Sequence, residues 1–327
     1  MRARLLLVLT VAILAVRPAS AVPPHPPTSG LRVHEWGVWK VREGQIQHLA
    51  DLARESPRFV RRATARAESP GGTLSRKPVV YVYADRPTEL TVRVGFTGGN
   101  AWLFYPGVSM EPGSSRPGCL GVGGGPALRD RAAVRPCEPP DHLRWSVRAV
   151  PRGGAALPEV ARGHFWNHLR SVPSATLEAP DGSAEKFLFY DGPVAFRTAY
   201  RARRDDRSVT IERLGDAGAS EMIVANGDRW VAASGLAPGL AARVGIDRPW
   251  PVQPHDVRTE IRERLRAAGL SAHEADSLVR TWQPEIEAEG LRAFWLLPRA
   301  EYDALLPIEI SPPPTDLVRV GLVIEQL

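Results

Sequence analysis

Leu31–Val41, LRVHEWGVWKV, sets a histidine beside a glutamate in an otherwise apolar run. An imidazole can shuttle a proton and a carboxylate can act as general base, so His34 and Glu35 are the first candidates for chemistry. Side chains alternate along a strand, which sends His34, Trp36, Val38 and Lys40 to one side and Val33, Glu35, Gly37 and Trp39 to the other. A coupled acid–base pair would need a bulge, for instance at Gly37, although either residue could work with a distant partner. The alternative is a strand buried on both faces. His34 is then hydrogen-bonded in the core and Glu35 is paired with one of the chain's many arginines, because a buried charge needs a partner.

A second constellation is HFWNHL, where His164 and His168 are four apart. On a helix they would share a face, a spacing that zinc ligands use. His34, Glu35 or Asp191 could supply a third ligand, and Glu35 could then serve as base on a metal-bound water. The glutamate of an H-E-x-x-H motif is missing, and the same spacing also suits a partly exposed helix face. Nucleophile and nucleotide motifs are absent: ASGLAPG at 233–239 is no G-x-S-x-G elbow, and GVGGGPAL at 121–128 lacks the Lys-Ser/Thr of a phosphate loop. Trp36, Trp39, Trp102, Tyr105 and Trp145 fall in β-rich segments. On an exposed sheet they would suit sugar rings or peptide, and they suit a core equally well.

The beginning of the chain reads as an export signal, with Arg2 and Arg4, an apolar run from Leu5 to Val16, and Ala19-Ser20-Ala21 as a cleavage site. Residues 1–21 are therefore expected to leave a soluble, secreted or periplasmic protein. No later stretch approaches the roughly 20 apolar residues of a membrane-spanning helix. The formal charge is +6 at pH 7, and loss of Arg2, Arg4 and Arg17 with the leader halves it. With no basic stripe interleaved with aromatics, a nucleic-acid surface is not expected. Cys119 and Cys137, the two cysteines, bracket a Gly/Pro/Arg-rich loop, and in an oxidising compartment they are expected to form a disulfide. Closing such a loop contributes about 3 kcal/mol in the chain-entropy view.

These residues must be positioned by a mostly β chain. After a proline-rich lead-in at 22–30, KPVVYVYA and TELTVRVGF read as strands joined by a turn, with NAWLFYPG as a third strand of a meander. Residues 106–140 form a long irregular excursion. HLRWSVRAV and EKFLFYDG read as strands, and EVARGHFWNHLRSV as a short helix between them. FRTAYRARRDDRSVTIERL and EMIVANGDRWVAA are hairpins, the second turning at Asn226-Gly227. Beyond Pro254 the period changes. Val257, Ile261 and Leu265 mark one helix, and a second, with Ser271 and Glu274 as a capping box, carries Leu278, Val279, Trp282 and Ile286. LRAFWLLP, PIEIS and DLVRVGLVIEQL return to strand. The pattern predicts a single α+β domain over 31–327, mainly antiparallel and sandwich-like, with a C-terminal αα-hairpin, a C-terminal strand in the sheet and a sub-boundary near 250.

Four segments carry a resemblance: Val33-His34-Glu35-Trp36-Gly37, Pro78-Val79-Val80-Tyr81-Val82-Tyr83, Glu185-Lys186-Phe187-Leu188-Phe189-Tyr190 and Leu297-Pro298-Arg299-Ala300. In this order they resemble an uncharacterised family of secreted bacterial proteins with an N-terminal V-H-E-W-G motif and a C-terminal L-P-R-A motif. That family lends no activity. Val38-Trp39 departs from its pattern, where Thr-Phe would follow the glycine. The expected function is a non-catalytic binding or structural component of the cell envelope, partnered by an envelope polymer or protein and needing no cofactor. The alternative is a metal-dependent hydrolase, with zinc as the candidate metal, His164 and His168 as ligands and His34 or Asp191 completing the site.

Overall fold

The computed structural model describes residues 28–42, 56–62, 73–108, 142–194, 196, 200–214, 221–227, 229–233, 239, 241–247 and 249–327. The expected leader, residues 1–21, and both cysteines, Cys119 and Cys137, lie outside the described residues.

A nine-stranded sheet is the frame. Its order is β13 (Arg229–Ala233), β12 (Met222–Asn226), β15 (Leu291–Leu297), β17 (Pro314–Gln326), β1 (Thr28–Arg42), β3 (Thr73–Tyr83), β9 (Leu188–Val194), β5 (Leu103–Tyr105) and β2 (Arg61–Arg62). Pairing is antiparallel except between β1 and β17, which run parallel. The first and last strands therefore meet at the sheet's centre. Both are covered on both faces, which explains why each reads as a near-continuous apolar run rather than a clean alternation.

On one face Val33, Trp39, Val80 and Val82 pack against a second, five-stranded sheet. That sheet runs β16 (Ile308–Ser311), β4 (Thr88–Gly95), β6 (His142–Val150), β7 (Thr176–Glu178) and β8 (Ala184–Glu185). Leu90, Val92 and Val94 of β4 and Leu143, Trp145 and Val147 of β6 alternate into this layer. A three-stranded sheet, β10 (Tyr200–Arg204), β11 (Ser208–Arg213) and β14 (Ala241–Gly245), adds Val209 and Ile211 to it. The opposite face, with Trp36, Val38, Tyr81, Val320 and Leu322, is covered by helices. These are α1 (Trp166–Arg170), α2 (Val257–Ala267), α3 (Ala272–Thr281) and α4 (Gln283–Ile286); α5 (Arg299–Leu305) follows β15.

The two C-terminal helices carry side-chain caps at their starts. Asp256 caps α2 by accepting the Thr259 N–H, and Ser271 and Glu274 form a reciprocal capping box on α3. Val257, Ile261 and Leu265 are buried from α2, and Leu278, Val279, Trp282 and Ile286 from α3 and its continuation. The Asn226-Gly227 turn joins β12 to β13, with Gly227 at φ 63°. The architecture is α+β and β-rich, with the C-terminal strand built into the sheet.

The meander is corrected. β3 and β4 are joined by a turn but belong to different sheets, and β5 returns to the large sheet beside β9. A turn dictates only that the chain reverses. Both β3 and β4 bury an apolar face, and stacking the two sheets face to face lets both faces be buried in one layer.

Candidate functional site

His34 and Glu35 point to opposite faces of β1, as the period of two requires. A register shift does occur beside them, between Trp36 and Val38 against β3, where Pro78 has no N–H to give to the ladder. It does not bring the two side chains together.

Glu35 faces the sheet-on-sheet layer and is fully buried. Its register partner on β17 is Arg319, whose Nε donates to Glu35 Oε2; the Tyr190 hydroxyl donates to Oε1. Arg319 is held further by Asp303 Oδ1 at 2.6 Å and the Leu306 carbonyl at 2.6 Å, and its guanidinium lies 4.3 Å from the centre of the Tyr302 ring. Burial works against the charge on Arg319, but Glu35, together with Tyr302 and Tyr190, outweighs it and holds the guanidinium pKa above its ordinary value. Tyr190 and Tyr302 are pushed well up, by burial first and by the charge of Glu35 second. Such a carboxylate is a clamp between the first and last strands.

His34 faces the helices and is 7% exposed. Its Nδ1 lies 3.0 Å from Glu274 Oε2, and its Nε2 lies 3.6 Å from Asp316, beyond hydrogen-bond distance. Glu274 is the capping-box residue of α3. It also accepts from the Ser271 N–H at 2.7 Å and the Tyr83 hydroxyl at 2.8 Å. Burial alone would raise the Glu274 pKa, but the His34 and Ser271 hydrogen bonds outweigh it and leave it below the ordinary carboxylate value of 4.5. A depressed carboxylate contributes stability that is fully present above pH 4.5 and is lost as pH falls through the folded-state value. The urea midpoint of the wild type should therefore fall on acidification below pH 4.5, and Glu274→Gln should flatten that limb. Equal acid slopes in the two proteins would contradict it.

The histidine pair does not assemble as its spacing predicts. Gly163 adopts φ 84° and the α-helix begins only at Trp166. His164 therefore precedes the helix, and its Nδ1 accepts the Trp166 N–H at 3.1 Å. The four-residue rule applies to a continuous helix and fails here. His168 lies in α1, its pKa lowered by burial first and by Arg280 second. Asp191 is buried on β9, where its carboxylate accepts the Gly192 N–H at 2.8 Å.

Among the described residues, no trio containing His34, Glu35, His164, His168 or Asp191 brings ligand atoms within 4.8 Å of one another. Among the described residues only His255, Glu260 and Glu263 do so. There Arg264 Nε holds Glu260 at 2.6 Å, and its positive charge opposes a cation. His34 stands on β1, His164 ahead of α1, His168 within α1 and Asp191 on β9, and the described residues do not gather them into one ligand set.

What the segment around HFWNHL does build is a polar anchor beneath an aromatic cluster. The Trp166 indole donates to Glu185 at 2.7 Å, and Arg170 holds both oxygens of the same carboxylate. Trp36, Trp39, Trp102, Tyr105 and Trp145 are all buried, so none forms an open aromatic platform. Trp39 lies so close over Gly321 that a Cβ there would come within 2.5 Å of its ring.

Sequence reasoning missed Arg319, Tyr190, Tyr83 and the second role of Glu274. Arg319 carried a usable signal, a lone cation inside the apolar run LVRVGLV. Glu274 read as a cap alone. Compared with known proteins, the chain matches no family model, no curated protein and no solved structure.

Proposed function

We propose that this protein is a secreted or periplasmic, non-catalytic binding or structural component of the cell envelope, and that its V-H-E-W-G strand is the frame of the fold. The observation that carries the reading is the enclosure of Glu35. The carboxylate best suited to general-base work lies inside the sheet-on-sheet layer, with its oxygens engaged by Arg319 and Tyr190.

The four segments that resemble the secreted bacterial family support it, because they meet around this clamp. β1 pairs with β3, which carries Pro78 to Tyr83, and Tyr190 reaches Glu35. The Leu297-Pro298-Arg299-Ala300 segment leads from β15 into α5. From there Tyr302 lies against Arg319, and Asp303 binds both Arg319 and Arg299. Motifs that converge on a buried ion pair suit a shared framework, and the export-type leader suits an envelope location.

The test has two arms. A tagged full-length chain should fractionate with the periplasm or medium and be retained by isolated envelope polymer or protein. Purified protein should not turn over envelope esters or glycosides. Turnover that disappears in His34→Ala or His164→Ala would overturn the reading, as would recovery of the chain in the cytoplasm.

A further inference from the structure

Asparagine occurs three times in the chain, at Asn100, Asn167 and Asn226. Its side-chain amide is an electrophile for the main-chain nitrogen that follows it, provided the side chain is free to turn and the next residue leaves that nitrogen open. Asn100 is buried, precedes Ala101 and donates to the Ala101 carbonyl at 3.1 Å. Asn167 precedes His168 and donates to the Ala161 carbonyl at 2.9 Å. Both amides are held, and each is followed by a residue whose Cβ crowds the nitrogen.

Asn226 differs on every count. It is exposed, its side chain has no hydrogen-bond partner among the described residues, and it precedes Gly227, which is exposed as well. Gly227 has φ 63°, and a Cβ built on it would meet nothing within 4 Å, so the turn stands in open space. Asn226 closes β12 and pairs with Arg229 of β13. The Gly227 N–H lies in the turn between them, outside the ladder, with no acceptor among the described residues.

We infer that Asn226-Gly227 is a site of spontaneous deamidation and isomerisation, an ageing switch at the rim of the large sheet. The Gly227 nitrogen attacks Asn226 Cγ: a C–N bond forms, the Cγ–Nδ2 bond breaks, and ammonia leaves with the Gly227 amide proton. Solvent water then opens the cyclic imide at either carbonyl. Opening at Cγ leaves an aspartate and the original main chain. Opening at the α-carbonyl leaves an isoaspartate, whose main chain runs through Cβ.

The rerouted chain matters because of what the turn holds. β12 and β13 lie at one edge of the nine-stranded sheet, and the Gly227 carbonyl accepts from Nη2 of Arg292 at 3.1 Å. Arg292 is 1% exposed, and its Nε and Nη1 have no partner among the described residues. An extra main-chain bond carries that carbonyl away from the guanidinium, and buried donors left unpaired are costly. The site stands independently of the proposed envelope role.

The experiment holds the full chain at mildly alkaline pH, well below its thermal midpoint, for several weeks beside a synthetic peptide of residues 222–233. Tryptic mass spectra and thermal midpoints are read at intervals. Peptide and folded chain should both gain one mass unit at Asn226, with isoaspartate among the products and Asn100 and Asn167 unchanged. A lower-melting fraction should grow in step with the isoaspartate. Asn226→Gln, whose longer side chain disfavours the ring, should abolish both changes. Freshly purified Asn226→Asp, with the charge on an ordinary main chain, should melt as fresh wild type does. A folded chain that keeps its mass while the peptide changes would overturn the site, as would a mass gain that persists in Asn226→Gln. Isoaspartate without a lower-melting fraction would overturn the part given to Gly227 and Arg292.

Discussion

Glu35→Ala should lower the unfolding free energy by about 3–5 kcal/mol, the range for breaking a buried ion pair by removing one partner. The side chains of Glu35 and Arg319 are both 0% exposed, so neither water nor salt replaces the lost charge. Arg319 would keep Asp303 and the Leu306 carbonyl, which softens the loss, while Tyr190 would lose its acceptor in the same layer. The cost arises from the charge left behind. Glu35→Leu combined with Arg319→Met should therefore recover most of the stability, and a double-mutant cycle by urea denaturation should show strong coupling.

The sign of the result matters as much as its size. Were Glu35 a working base held in a strained site, its removal would leave stability unchanged or raise it while abolishing an activity. A change below about 1 kcal/mol in Glu35→Ala would show that the first and last strands are not clamped by this pair.

Trp166→Ala should be comparably severe, about 3–5 kcal/mol for deleting a large buried aromatic. The ring is fully buried, with Phe59, Phe187 and Phe189 at centroid distances of 5.6, 5.1 and 4.9 Å. Its N–H is a donor to Glu185, which is itself fully buried. Trp166→Phe keeps much of the packing and removes that donor. It should cost about 1.5–3 kcal/mol, as expected for a hydrogen bond to a charged group. His164→Ala and His168→Ala, two residues to either side, should each cost about 1 kcal/mol or less, because both are partly exposed. If the histidine variants unfolded the protein more readily than Trp166→Ala, the segment's role would have to be sought in the histidines after all.

The contrast within HFWNHL shows where local reading stops. Spacing made the histidines conspicuous, since two ligand-type side chains four apart fit a known geometry. The backbone geometry that would make that spacing meaningful begins only at Trp166, after the turn at Gly163. Conversely, the capping box at Ser271 was legible in full, because a cap is made within four residues of chain. Its glutamate also binds His34 from 240 positions away, and no local pattern announces that.

The sequence by itself determined the faces. A period of two placed His34 and Glu35 on opposite sides of β1, Asn226-Gly227 turned a hairpin, and four-residue apolar spacing laid out the helices over the sheet; each depends only on backbone geometry and near neighbours. Only the tertiary structure decided the partners. Arg319 meets Glu35 across 284 positions, β1 lies parallel to β17, and β3 and β4 part into different sheets. Strand pairing and order follow from which apolar faces can be buried together, a property of the whole chain that local propensity does not encode.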